Sequence, residues 1–492
     1  MIVREEGGGT LLRKESIVES GFIMLLGTCL NILISIITTP IITRLVTPTD
    51  YGQWSLFVTY TNTAQAVILM GLDQAFVRFY YKDNRLVYKK YLTYTVIKIP
   101  VIVFFFVFGI SFGFIRKIQL FEFKGLFPYI LLYLSVFSSI LNRFSQLVLR
   151  MEQKSKIYSL SMVLNKAIYV TLALVLVLYT EESGFVILAL TTIIAQIIVT
   201  IIAIGCSKDI WKFNLNEFRK VVLSKKELIL YGLPFIYSAL AGDVFNFIDK
   251  WSLKSMETYA EVGIYSSAAN IVAICAIVQT TFNLLWAPLA MKHYEDDPSN
   301  KSFYIKANGC ITIAMFFVGA AVICFKDIIV FLLGNDYREA ATVIPFLLFN
   351  PIMMTVSETT VYGINFKNKT WLHGVITTIC ALVNIVLNTC FIPSYSAEGA
   401  ALATAISYIV FYILRTLLSN KCYPVRYPNI KYSIVSILFF GYSFLNTFYS
   451  IKWIPNFMLF IIFIGILIGL YKKFVKILFE TIFNELKDKI KK

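Results

Sequence analysis

Charge is scarce in this chain. Charged residues make up 15% of the 492 positions, against a hydrophobic share of 58% and a mean hydropathy of +0.72. A soluble domain carries roughly a quarter charged residues, so a surface facing water on all sides cannot be built from this composition. Histidine is nearly missing: only His293 and His373 occur. They are too few for a zinc site, and no Ser/His/Asp or Cys/His set can be assembled from them. The eight cysteines are Cys29, Cys206, Cys275, Cys310, Cys324, Cys380, Cys390 and Cys422. None forms a C-x-x-C pair and most fall inside apolar runs, which excludes a disulfide or metal framework and leaves small buried hydrophobes. A glycine-rich phosphate loop is absent, so ATP hydrolysis is not expected. No loop is long enough for a soluble catalytic domain. The expectation is therefore a protein that is not an enzyme, with no metal and no organic cofactor.

What the chain has is apolar runs. About fourteen of them are long enough for transmembrane helices of about 20 residues, which makes the fold class an all-α integral membrane protein. The first twenty positions hold Arg4, Glu5, Glu6, Arg13, Lys14, Glu15 and Glu19 ahead of the first run, which does not fit a cleavable signal peptide. The net charge of +16 raises nucleic acid as a partner. Position argues for the bilayer instead. Basic residues crowd alternate loops, with Arg78, Lys82, Arg85, Lys89 and Lys90 in one and Lys208, Lys212, Arg219, Lys220, Lys225 and Lys226 in another. The loops at Glu181–Glu182 and 394–398 carry none. With both termini in the cytoplasm, that pattern obeys the positive-inside rule, so the basic excess is topological and nucleic-acid binding is not expected.

The chain also repeats itself. Gly52-Gln53-Trp54-Ser55 matches Gly263-Ile264-Tyr265-Ser266, Gln153-Lys154-Ser155 matches Asn368-Lys369-Thr370, and Gly184 falls on Gly399 at nearly the same offset. The expected organisation is a cytoplasmic tail over 1–20, a six-helix bundle over 21–205 and a cytoplasmic linker over 206–227. A second six-helix bundle over 228–420, two additional helices over 421–472 and a basic amphipathic tail over 473–492 follow. Both units start inside and span six times, so the repeat is parallel, about an axis along the membrane normal. An amphipathic stretch from Trp211 to Leu223 is expected to be an interfacial helix.

Chemistry must then come from polar residues inside the bilayer, where each charge costs about 2.5–3.5 kcal/mol on insertion scales. Lys98, Arg143 and Lys166 lie deep in three successive runs of the first half, and the expectation is one hydrated cationic cavity. Arg44, Arg78 and Lys250 lie near run ends, where snorkelling competes with a place in that lumen. Asp243, Asn246 and Lys250 share one face of the seventh helix, and Asn384 and Asn388 one face of the eleventh, so these stripes face protein or water. Glu358, Asp73 and Asp249 are candidates for ion coupling. For all of these, a set of packing salt bridges is the competing reading.

At these residues the chain resembles the polysaccharide-transporter branch of the multidrug/oligosaccharidyl-lipid/polysaccharide flippase superfamily. The resemblance runs from Pro40 through Thr43-Arg44 to Pro48-Thr49-Asp50-Tyr51-Gly52, then Gly71-Leu72-Asp73 with Arg78-Phe79-Tyr80. It continues with Leu233-Pro234 ahead of Asp249-Lys250, Glu261-Val262-Gly263-Ile264-Tyr265, and Asn384, Asn388, Ile392-Pro393 and Glu398-Gly399-Ala400-Ala401. Lys250 departs from the family, which commonly has Arg there: the charge survives but a bidentate phosphate contact does not. Gly71-Leu72-Asp73 departs too, because the family more often has a small polar residue there. The resemblance implies two bundles around a central lumen working by alternating access in the bacterial cytoplasmic membrane. It implies an undecaprenyl-diphosphate-linked oligosaccharide for capsule, O-antigen or exopolysaccharide as substrate, and a proton or sodium gradient as the drive. A polymerase and glycosyltransferases would be pathway partners. A flippase for a peptidoglycan or teichoic-type precursor is the nearest rival. A cation-coupled multidrug exporter is a further one, disfavoured because the deep charges of the first half are basic.

Overall fold

Side-chain caps open several of the helices and set their boundaries. Thr47 caps the helix beginning at Pro48, Ser183 the one at Gly184, Ser224 the one at Lys225 and Thr258 the one at Tyr259. Ser224 and Thr258 each accept from the backbone N–H of a glutamate three residues on, Glu227 and Glu261, which is the spacing of a capping box. These starts belong to a computed structural model that describes residues 17–114, 120–121, 126–219, 221, 223–449 and 451–476. The far tail beyond 476 and the first sixteen residues lie outside the described residues, and with them most of the expected tails.

Every regular element longer than one turn among the described residues is an α-helix. The first half comprises α1 (Ile17–Thr43), α2 (Pro48–Ile68), α3 (Leu72–Phe79), α4 (Leu86–Phe114), α5 (Phe127–Met151), α6 (Ser155–Tyr179) and α7 (Gly184–Cys206). Two one-turn helices follow, α8 (Lys208–Trp211) and α9 (Leu215–Phe218). The second half comprises α10 (Lys225–Met256), α11 (Tyr259–Val272), α12 (Ile274–Asp296), α13 (Ser302–Phe331), α14 (Ala340–Leu347), α15 (Phe349–Thr360), α16 (Tyr362–Phe366) and α17 (Trp371–Cys422). Then come α18 (Asn429–Phe448) and α19 (Trp453–Leu470). Among the described residues, ten helical segments are long and apolar enough to cross a membrane, and the chain is a multi-pass membrane protein.

Of the expected runs, the second is broken. It ends at a left-handed turn, with φ of 49° at Met70 and 66° at Gly71. The eleventh and twelfth runs are two helices that follow one another within α17, parted at Ser396, whose φ of 43° and ψ of −122° are not helical. They fold back so that Asn384 Nδ2 reaches Thr404 Oγ1 at 3.5 Å. The single interfacial helix expected at 211–223 is instead two one-turn pieces. Asn214 is extended and accepts from the N–H of Asn216, which starts α9 afresh. Phe213 and Phe218 of this linker pack on Tyr94 and Tyr91 of α4.

The two halves meet where the repeat predicted equivalence. A Cβ on Gly52 would stand 1.9 Å from the carbonyl of Tyr259, and one on Gly263 would stand 2.1 Å from that of Pro48. Beside them Ser55 Oγ donates to Ser266 Oγ at 2.7 Å. The pairs 48/259, 52/263 and 55/266 share one offset and touch reciprocally, which is how a two-fold axis brings equivalent residues together. A second close approach joins the halves at the other end of α2. There a Cβ on Gly71 would lie 2.0 Å from the carbonyl of Gly232 on α10.

Candidate functional site

Between these two glycine contacts lies a cavity of about 430 Å³. Helical spacing builds its walls. Ser55, Thr59, Asn62 and Thr63 line one face of α2, Asn165, Lys166 and Tyr169 come from α6, and Asn246 and Lys250 stand one turn apart on α10. Ser266 and Asn270 complete it from α11. Lys250 Nζ donates to Thr59 Oγ1 at 3.2 Å across the junction of the halves. Trp54 stacks on Tyr169 at 5.6 Å and donates through Nε1 to Thr192, which fixes the rim. Asn270 is held by the hydroxyl of Tyr51 at 2.8 Å. Two lysines line this cavity and, among the described residues, no acidic side chain does. Two ammonium groups beside four asparagines make a surface suited to an anion carrying uncharged polar groups.

The other expected cations lie elsewhere. Arg44 and Arg78 are exposed. Lys98 is exposed on α4, with Nζ 5.5 Å from the centre of the Tyr94 ring. Arg143 of α5 reaches Asp73 of α3, its Nη2 2.6 Å and its Nε 3.2 Å from Oδ2, and is itself partly exposed. Lys98, Arg143 and Lys166 thus do not share one cavity: Lys166 alone of the three lines it. Successive spans fix depth along the helix axis, whereas convergence also requires the right rotation about it.

The described members of the polar stripe on α10 keep to one side, and Asp249, which is not part of it, lies on another. Asn246 and Lys250 face the cavity, while Asp249 is buried in the second half at 1% exposure. Asp249 accepts three hydrogen bonds, from Tyr265 at 2.6 Å, Asn388 Nδ2 at 2.9 Å and Thr404 Oγ1 at 2.5 Å. Asn388 also donates to Asn384 Oδ1 at 3.3 Å, and both asparagines are fully buried. Each bond to a charged acceptor contributes about 1.5–3 kcal/mol, which offsets part of the cost of burying the carboxylate. The side chain of Asp243 lies outside the described residues.

Glu358 of α15 is paired. Its Oε1 lies 2.9 Å from Nη1 of Arg415, which also donates to Ser357 Oγ at 2.6 Å. Reasoning from sequence passed over Arg415, Asn62, Asn165 and Asn270, although each is a polar residue in an apolar run.

The fold defined by these helices is that of membrane transporters. It resembles the lipid II flippase MurJ in an inward closed conformation, at 17% identity over 94% of this chain and 100% of that one, with a TM-score of 0.66. It also resembles an inward-facing multidrug resistance MATE family transporter of the MOP superfamily, at 17% identity over 83% of this chain and 98% of that one, with a TM-score of 0.58. At that identity the likeness is one of fold. The family model described as "Polysaccharide biosynthesis protein" matches residues 17–292, more than half of the chain, and the chain belongs to that family.

Relatives include the "Probable low-salt glycan biosynthesis flippase Agl15" of Haloferax volcanii, 25% identical over 255 residues, covering 50% of this chain and 52% of the relative. Another is the "Capsular polysaccharide biosynthesis protein CapF" of Staphylococcus aureus, 22% identical over 216 residues, covering 40% of this chain and 51% of the relative. The chain therefore spans about half the length of the curated relatives it matches.

Proposed function

We propose that this protein moves a lipid-linked oligosaccharide across the membrane, with its diphosphate passing through the Lys166–Lys250 cavity. The carrying observation is that two ammonium groups and four asparagines converge between the halves, without an acidic lining residue among those described. A diphosphate bridging a polyprenol and a sugar carries two negative charges. Charge-assisted hydrogen bonds from two lysines would offset its desolvation over about 30 Å of hydrocarbon. The asparagines suit the hydroxyls of uncharged sugars, and the polyprenyl chain stays in lipid. Undecaprenol is the carrier we favour, in a bacterial cytoplasmic membrane with both termini inside. The product would feed capsule, O-antigen or exopolysaccharide, beside glycosyltransferases and a polymerase.

Two bundles, 21–205 and 228–420, would rock about the Gly52–Gly263 and Gly71–Gly232 contacts, so that one contact opens while the other holds. Asp249 is the coupling carboxylate we favour, for a proton or a sodium ion. It is buried among neutral donors, whereas Glu358 already has Arg415.

The test is reconstitution in vesicles containing a polyprenyl-diphosphate oligosaccharide, scoring the sugar's accessibility to an external lectin. Translocation by the wild-type chain and its loss in a Lys166→Gln/Lys250→Gln variant that still inserts are expected. Equal translocation by both would refute the reading.

A further inference from the structure

The second half holds another polar cavity, of about 350 Å³, between α10, α15, α16 and α17. Arg415 lines it at 7% exposure, with its guanidinium 5.1 Å from the centre of the Phe411 ring. Both of its hydrogen bonds, to Ser357 and Glu358, leave from Nη1. Its Nε is buried without a hydrogen-bond partner, and Nη2 donates to no described group. Nε and Nη2 form one edge of the guanidinium, the edge that makes two parallel bonds to a phosphate or carboxylate. Glu358 answers one side of the cation; the other side fits a single anionic group.

This cavity continues outward. An open groove of about 910 Å³ shares His373 and Thr377 with it and is walled by Pro234, Trp371, Val375 and Ile379. Val375 and Ile379 stand one turn apart on α17, half-exposed. Trp371 opens that helix at 65% exposure, the placement of an aromatic residue at the level of lipid headgroups. A cationic clamp for an anion thus adjoins an apolar trough that begins beside an exposed tryptophan.

We infer that cavity and groove together bind an anionic glycerophospholipid, its phosphodiester on the Nε–Nη2 edge of Arg415 and an acyl chain along Val375 and Ile379. One guanidinium edge matches the single charge of a phosphodiester, whereas a diphosphate's two charges match the two-lysine cavity. The inference does not depend on the transported substrate: it would hold for any cargo.

Native mass spectrometry of the purified full chain, with equimolar dioleoyl phosphatidylglycerol and dioleoyl phosphatidylcholine, tests it. Wild type should retain phosphatidylglycerol with a preference of about tenfold. The variant Glu358→Gln/Arg415→Gln removes both charges together and should bring the preference to within about twofold. Arg415→Lys keeps the charge without the edge and should lose at least about fivefold, so a folding failure of the double variant leaves the test intact. Val375→Trp fills the groove and should release the lipid with Arg415 untouched. No preference in wild type, or a preference surviving both Arg415 changes, overturns the site. Displacement of phosphatidylglycerol by equal farnesyl diphosphate or inorganic phosphate overturns the phospholipid as its occupant.

Discussion

The two polar regions of this protein balance charge in opposite ways. Inside the second half, Asp249 is surrounded by three donors and Glu358 is closed by Arg415. At the junction of the halves, Lys166 and Lys250 line a cavity whose other described walls are amides, hydroxyls, aromatic rings and the aliphatic Val58 and Ala269. A satisfied buried network fixes packing, and its loss is felt as instability. A cation that lines a cavity can meet a partner from outside, and its loss is then felt as function. The contrast is between carboxylates that already hold donors from the protein and cations that face a cavity.

The sharpest way to break it is Asp249→Ala. Tyr265, Asn388 and Thr404 would each lose their acceptor at about 1–3 kcal/mol apiece, so membrane abundance and export should fall together. Export lost at full abundance would assign Asp249 to ion coupling alone, with no share in packing. Next comes the seam. Gly263→Ala puts a methyl 2.1 Å from the Pro48 carbonyl, and the overpacking should cost about 1–3 kcal/mol, read as a lowered Tm. Gly441→Ala meets nothing within 4 Å and serves as its control.

A smaller effect is expected at Arg143, whose pair with Asp73 is partly exposed. Arg143→Ala should cost under about 1 kcal/mol and leave export within about twofold of wild type. A large loss of export there would extend the cationic path beyond the cavity.

The smallest effect concerns Glu261, in the first turn of α11. Burial, with Glu398, Glu339 and Glu257 nearby, pushes its carboxyl above the usual range, while the N–H of Ala397 donates to it at 3.2 Å. With the folded pKa above the unfolded one, the charged form is disfavoured in the folded chain, so stability is gained as pH falls through the folded pKa. Glu261→Gln should therefore raise Tm slightly at neutral pH, and the gain should shrink on acidification. A gain independent of pH would contradict the assignment.

The membrane class and most helices were legible in the sequence, because apolar runs and caps are local signals. So was the Gly52–Gly263 equivalence, which the structure turns into a reciprocal contact. The shared face of Asn384 and Asn388 was legible from spacing, and both meet in the Asp249 network. What one helix faces on another was not legible. Arg415 and Glu358 are 57 residues apart and meet only when α15 packs on α17. Lys98 and Arg143 lie inside apolar runs like Lys166, but their helices turn them to other surroundings. The break at Ser396 falls in the loop expected at 394–398, whereas the one at Met70–Gly71 depends on backbone angles that an apolar run does not disclose.

The account's central claim is that the cations between the halves serve the cargo and not the fold. Its most direct test measures membrane abundance and polysaccharide export together for Lys166→Glu and Lys250→Glu, beside Lys98→Glu, in cells that depend on this protein. The account predicts near-normal abundance throughout, with export lost at Lys166 and Lys250 and kept at Lys98. Normal export in both cavity variants, or abundance falling in step with export, would contradict it.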